Sequence, residues 1–105
     1  MHNWKSICRV EILADEVHMT RFEACLAELG MTHWTVRPLA RGRQGDSNWT
    51  RSGHIVDAGR QAALVVFLEP EVLDTAMARL DPLLRSYAAD LYCQSDWKQR
   101  LPRAE

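Results

Sequence analysis

The chain has 105 residues, 47% of them hydrophobic and 26% charged, which is the size and composition of one domain with its own core. A formal net charge of -1 excludes a global basic field for nucleic acid, and no apolar run approaches a membrane span. Met1-His2-Asn3-Trp4-Lys5 leads straight into a strand-like segment without the apolar region of a signal peptide, so the expected compartment is the cytoplasm.

Residues 6–13 alternate as a half-buried strand, with Cys8, Val10 and Ile12 on one side and Arg9 and Glu11 on the other. Thr20-Arg21-Phe22-Glu23 reads as a capping box. The helix it opens carries Phe22, Cys25, Leu26 and Leu29 on one face, and Gly30 stands where a left-handed cap is expected. A second strand runs through Trp34–Leu39. Pro38 cannot donate to a ladder, so that strand belongs at a sheet edge.

Residues 40–61 form a long polar stretch, of the length that usually carries function in a compact domain. It contains Arg41-Gly42-Arg43-Gln44-Gly45-Asp46. Glycine lets main-chain N–H groups approach a ligand, and arginine offers flat bidentate donors, so the segment reads as a grip for phosphate or carboxylate oxygens. Its bland alternative is a solvated loop face. Ala62–Leu68 is apolar throughout, as a central strand is. Glu69-Pro70-Glu71 starts a second helix with proline and acids in its first turn. Leu73, Met77, Leu80, Leu84 and Tyr87 give it helical spacing, and Pro82 is expected to kink or break it. Asp90–Ser95 is a short fourth strand, followed by a polar tail at 96–105.

Two strand-helix-strand units give an α+β, ferredoxin-like βαββαβ domain over 1–105, with a four-stranded antiparallel sheet and two helices on one face. The second and fourth strands are then edges. The uncovered face needs either a polar surface or a partner, and Trp34, Tyr92 and Trp97 are the candidates to line such an interface.

Three cysteines, Cys8, Cys25 and Cys93, form no C-x-x-C pair and read as buried thiols. His2, His18, His33 and His54 show no paired ligand spacing, so no metal site is expected. Acids at helix starts serve the helix dipole, and nothing orders a catalytic dyad or triad.

In this order, Leu29-Gly30-Met31-Thr32-His33-Trp34-Thr35-Val36, then Gly42-Arg43-Gln44, then a long loop, the chain resembles the PII signalling superfamily from Val10 to about Trp97. The resemblance implies a homotrimer with an adenine nucleotide in each cleft between subunits. It implies that Thr35 lies near the adenine, that Gly42, Arg43 and Gln44 meet the phosphates at the base of a T-loop (about 40–61), and that Lys98 and Arg100 are the basic pair reaching them. The chain departs from PII proteins of nitrogen control. The connection Ser86-Tyr87-Ala88-Ala89-Asp90 has no glycine and no lysine, and the loop has Trp49 but no tyrosine. It is closer to the group encoded beside carboxysome or bicarbonate-transport genes. That likeness implies ADP or AMP in preference to ATP, with bicarbonate as a further ligand for which Arg41, Arg43 and Arg51 are anion candidates.

The expected function is therefore a non-enzymatic PII-like regulator without a cofactor. Its T-loop, with Trp49 as a contact, would control a transporter or carbon-fixation partner, with no nucleic acid and no membrane insertion. The alternatives are a PII-like regulator of metal efflux and a small ferredoxin-like enzyme of the α+β barrel type.

Overall fold

Alternating apolar residues draw the first strand out further than the sequence suggested. In the computed structural model, which describes residues 3–44, 47–50 and 60–101, β1 runs over Trp4–Asp15. It is followed by α1 (Met19–Glu28), β2 (Thr35–Pro38), β3 (Arg41–Gln44), β4 (Ser47–Thr50), β5 (Gln61–Leu68), α2 (Leu73–Ser86) and β6 (Asp90–Arg100). The main sheet is four-stranded in the order β2-β5-β1-β6, with every pairing antiparallel. This is the ferredoxin-like arrangement expected, with β2 and β6 at the edges and Pro38 on an edge strand. Among the described residues no helix is long and apolar enough to cross a membrane.

One face of the sheet is the core. Val10, Ile12 and Ala14 of β1 and Ala62, Leu64, Val66 and Leu68 of β5 pack with Phe22, Cys25 and Leu26 of α1 and with Ala76 and Leu80 of α2. Both helices therefore cover the same face. The intervening residues, Arg9, Glu11, Val65 and Phe67 among them, belong to the other face.

The helix ends follow local chemistry. Gly30 has φ +90°, its N–H donates to the Ala27 carbonyl, and the Met31 N–H donates to Leu26, the two bonds of a Schellman cap. After α2 the same role falls to Ala88, at φ +51°, with the Ala89 N–H on Leu84. An L-residue there is strained by about 1–2 kcal/mol. Ala88→Gly is expected to raise stability by about 1 kcal/mol and Gly30→Ala to lower it by a similar amount. A Cβ at Gly30 meets nothing within 4 Å, so only the backbone term operates there. Urea midpoints that move together, or not at all, would refute this pair.

Four expectations change. The capping box does not form. A 3-10 turn at Glu16–His18 carries the chain into α1, the helix starts at Met19 with no side-chain cap, and Thr20 lies inside it. Pro82 does not break α2, which runs on to Ser86. The carbonyl it leaves unserved belongs to exposed Ala78, where water can bond it. The stretch 40–61 is not plain loop, because β3 and β4 pair in a separate two-stranded sheet. Finally, β6 continues through the expected tail to Arg100, because Trp97–Arg100 find ladder partners in Trp4–Ile7.

That last pairing contains an irregularity. Ile7 opposes Trp97 and Arg9 opposes Gln94, so Cys8 alone faces both Ser95 and Asp96. The extra residue on β6 is a bulge, and it resets which side chains share a face. Tyr92 and Gln94 are joined on the open face by Trp97 rather than Asp96. Of the three free thiols, Cys8 and Cys25 are buried as expected, but Cys93, on an edge strand, is exposed. Burial raises the Cys25 thiol pKa; partial desolvation and then Cys8 raise that of Cys93.

Candidate ligand cleft

The segment that leaves the Schellman cap leads into edge strand β2 beside β5, and two adjoining cavities lie there. The smaller, about 330 Å³, is lined by Thr32, His33, Trp34 and Thr35 on one side and by Val65 and Phe67 of β5 on the other. The larger, about 590 Å³, is lined by Ile7, His33, Phe67, Glu69, Trp97, Lys98 and Gln99. His33 and Phe67 belong to both, so the two adjoin across these side chains and are described together as one cleft. Volumes of this order are those of small-molecule sites, roughly 300–1,000 Å³.

Aromatic and aliphatic groups form the floor. The Phe67 and Trp97 rings lie 5.4 Å apart at 54°, and the Arg9 guanidinium stands 5.5 Å from the Trp97 centroid. Arg9 is also bonded to Glu11 at 2.9 Å, which keeps both charges paired on the open face. Polar groups sit on the walls. His33 Nδ1 and the Thr32 hydroxyl are 2.8 Å apart, Trp34 Nε1 donates to Glu23 at 2.8 Å, and Lys5 pairs with Glu69. Such a lining offers flat apolar surface, a hydroxyl and an imidazole, which is chemistry for binding a planar polar molecule. Among the described residues no group of three or more His, Cys, Asp or Glu could hold a metal.

The residues singled out from the sequence fall in three places. Thr35 lines the smaller cavity and Lys98 the larger. Lys98 is turned, however: it opposes Ser6 on the alternate face from Trp97, and its ammonium donates to the Ser6 hydroxyl at 3.1 Å. Arg100, two residues on, opposes Trp4 on that same alternate face. Gly42, Arg43 and Gln44 lie on β3, with Arg41 at its start. Among the described residues Arg41, Gly42 and Arg43 line neither cavity, and the side chain of Gln44 lies outside the described residues. Arg51 and the side chain of Trp49 lie outside the described residues, although the backbone of Trp49 opposes Gly42 in the hairpin.

Sequence reasoning missed His33, Val65, Phe67 and Glu69. The signal for Val65 and Phe67 was present. In a sheet with helices on one face, every second residue of Ala62–Leu68 must face away from them. The unbroken apolar run hid that alternation. Of the proposed interface residues, Tyr92 is 59% and Trp97 38% exposed, and Phe67 joins them at 45%. Trp34 differs, being half-buried and tied to α1.

No family model matches the chain and no curated protein matches it. Solved structures do. CPII, a nitrogen regulatory PII-like protein from Thiomonas intermedia K12 solved with ADP, AMP and bicarbonate, superposes with a TM-score of 0.76 at 11% identity, over 95% of this chain and 99% of that one. A PII-like signalling protein from Thermus thermophilus gives 0.70 at 23% identity, over 92% of each chain. CutA from Synechococcus elongatus gives 0.63 at 12% identity, over 90% of this chain and 80% of that one. At these identities the likeness shows the fold, which is that of the PII-like proteins.

Proposed function

We propose that the chain is a PII-like regulator that binds an adenine nucleotide in the cleft at Thr35, with ADP or AMP favoured over ATP. The observation that carries this reading is the cleft itself. Thr35, which the family resemblance puts near the adenine, lines a cavity adjoining one that Lys98 borders, on a fold shared with a protein solved with ADP, AMP and bicarbonate. Exposed Phe67, Tyr92 and Trp97 support a homotrimer in which open sheet faces meet. In that assembly the Gly42-Arg43-Gln44 segment of one protomer would face the cleft of its neighbour, and Lys98 and Arg100, which stand on the alternate face of β6, would reach the phosphates around the edge of that strand.

The nucleotide preference follows from the α2–β6 connection. Tyr87-Ala88-Ala89 brings neither lysine nor glycine, so a third phosphate gains few new donors there. Arg41, Arg43 and Arg51 are the donors for phosphate or bicarbonate. A ligand that prefers one arrangement of residues 40–61 would signal through it to a cytoplasmic partner in inorganic carbon uptake or fixation, with Trp49 as a contact. In this reading the protein regulates and does not catalyse.

Calorimetry with ADP, AMP and ATP tests it. ADP and AMP should bind, and ATP should bind no more tightly than ADP. Arg43→Ala should weaken ADP by about 10- to 150-fold, the worth of charge-assisted hydrogen bonds. Absence of heat with all three nucleotides would remove the proposal.

A further inference from the structure

The acid that follows β5 does not do what its place in the chain suggests. Glu69 precedes the 3-10 turn Pro70–Val72, where an acid ordinarily serves the N–H groups of the first turn, yet its side chain makes no capping bond. Its backbone is still extended, at φ -65° and ψ 141°, so the alternation of β5 carries on one place past Leu68. Glu69 therefore stands on the same side as Phe67, the open face, and lines the larger cavity with His33, Trp97 and Lys98. Lys5 of β1 pairs with its Oε2, and the Glu69 side chain is 48% exposed. An ionised carboxylate has about four acceptor positions, so one ammonium does not saturate it. The same ammonium offsets its charge, which lets an acid stand in a cleft that takes an anion.

A carboxylate accepts hydrogen bonds and gives none, so the part of a ligand that it meets must donate. Phosphate oxygens are acceptors with the same sign of charge, and they belong at the Lys98 border of the cavity. An adenine nucleotide has two kinds of donor, the amino group of its base and the hydroxyls of its ribose. With the base against Thr35 in the smaller cavity, the next part of the molecule to pass His33 and Phe67 is the sugar. We propose that Glu69 accepts from the ribose hydroxyls and makes the cleft require an intact ribose. Carboxylates perform this service in dinucleotide sites of unrelated folds. The inference rests on the nucleotide reading of the cleft and adds the group that recognises the sugar.

Calorimetry with ADP and with 2′,3′-dideoxy-ADP tests it, because the analogue keeps the base and both phosphates and lacks only the hydroxyls. Wild type should bind the analogue at least about tenfold more weakly than ADP, the worth of a hydrogen bond to a charged group. In Glu69→Ala that preference should vanish, with the two ligands within about threefold of each other. Circular dichroism of the variant should match wild type, since the side chain removed is half exposed. The inference is overturned if wild type binds ADP and the analogue alike, or if Glu69→Ala keeps the preference. A wild-type protein that gives heat with neither ADP nor AMP fails earlier, and overturns the nucleotide reading itself.

Discussion

Phe22→Ala is expected to lower the unfolding free energy by about 3–5 kcal/mol, a large part of what a domain of this size has. Phe22 is fully buried and projects from α1 into the cluster where both helices meet the sheet. Its ring meets Tyr87 edge-on at 6.4 Å, and Tyr87 is stacked on His18 at 4.3 Å, with Arg21 5.5 Å from the Tyr87 ring centre. Truncation removes the transfer energy of the ring, leaves a cavity between layers that cannot fully collapse, and withdraws the edge contact that holds Tyr87 at the end of α2. Phe22→Leu keeps most of the volume and should cost well under half as much. Urea denaturation followed by circular dichroism gives both values. A midpoint for Phe22→Ala within about 1 kcal/mol of wild type would show that the helices do not depend on this contact.

The second large effect is on assembly. Phe67→Glu is expected to leave each protomer folded and to prevent the protomers from associating. Phe67 is 45% exposed in the isolated chain, on the face away from the helices, so a carboxylate there remains hydrated in a monomer. Surface changes of this kind usually alter stability by less than about 0.5 kcal/mol. In an assembly that covers the open face, the same carboxylate is buried against Trp97, and burying a charge without a partner costs several kcal/mol. Sedimentation equilibrium should find wild type at three subunits and Phe67→Glu at one, with unchanged circular dichroism. Equal masses for the two proteins would mean that the open face is not the interface.

Where local chemistry decides the structure, the sequence could be read. Gly30 ends α1 because only a left-handed residue closes that cap, and Pro38 marks an edge because it has no N–H to give. The alternation of Val10 and Ile12 with Arg9 and Glu11 orients β1 without reference to anything distant. Where a partner far along the chain decides, the reading slipped. Glu23 stands at capping-box spacing from Thr20, yet its carboxylate goes to Trp34, across a turn whose path local signals do not specify. Trp97–Arg100 look like a polar tail until Trp4–Ile7 are seen to extend past the rest of the sheet and pair with them. Of the residues that line the cleft, the sequence pointed to Thr35 and Lys98, whereas Arg41, Gly42 and Arg43 lie on β3 and line neither cavity. His33 and Phe67, which border both cavities, carry no motif and acquire their place only through the pairing of β2 beside β5.

The single unmatched residue at Ser95-Asp96 makes the last strand tolerant of a change in length. Were either position deleted, the remaining one would stand alone opposite Cys8, Trp97 would still oppose Ile7 on the aromatic side, and Lys98 and Arg100 would stay on the other. Descendants of this chain could therefore lose one residue here and keep the same greasy contact surface, whereas a lost residue elsewhere in the strand would slip the ladder and turn its side chains over.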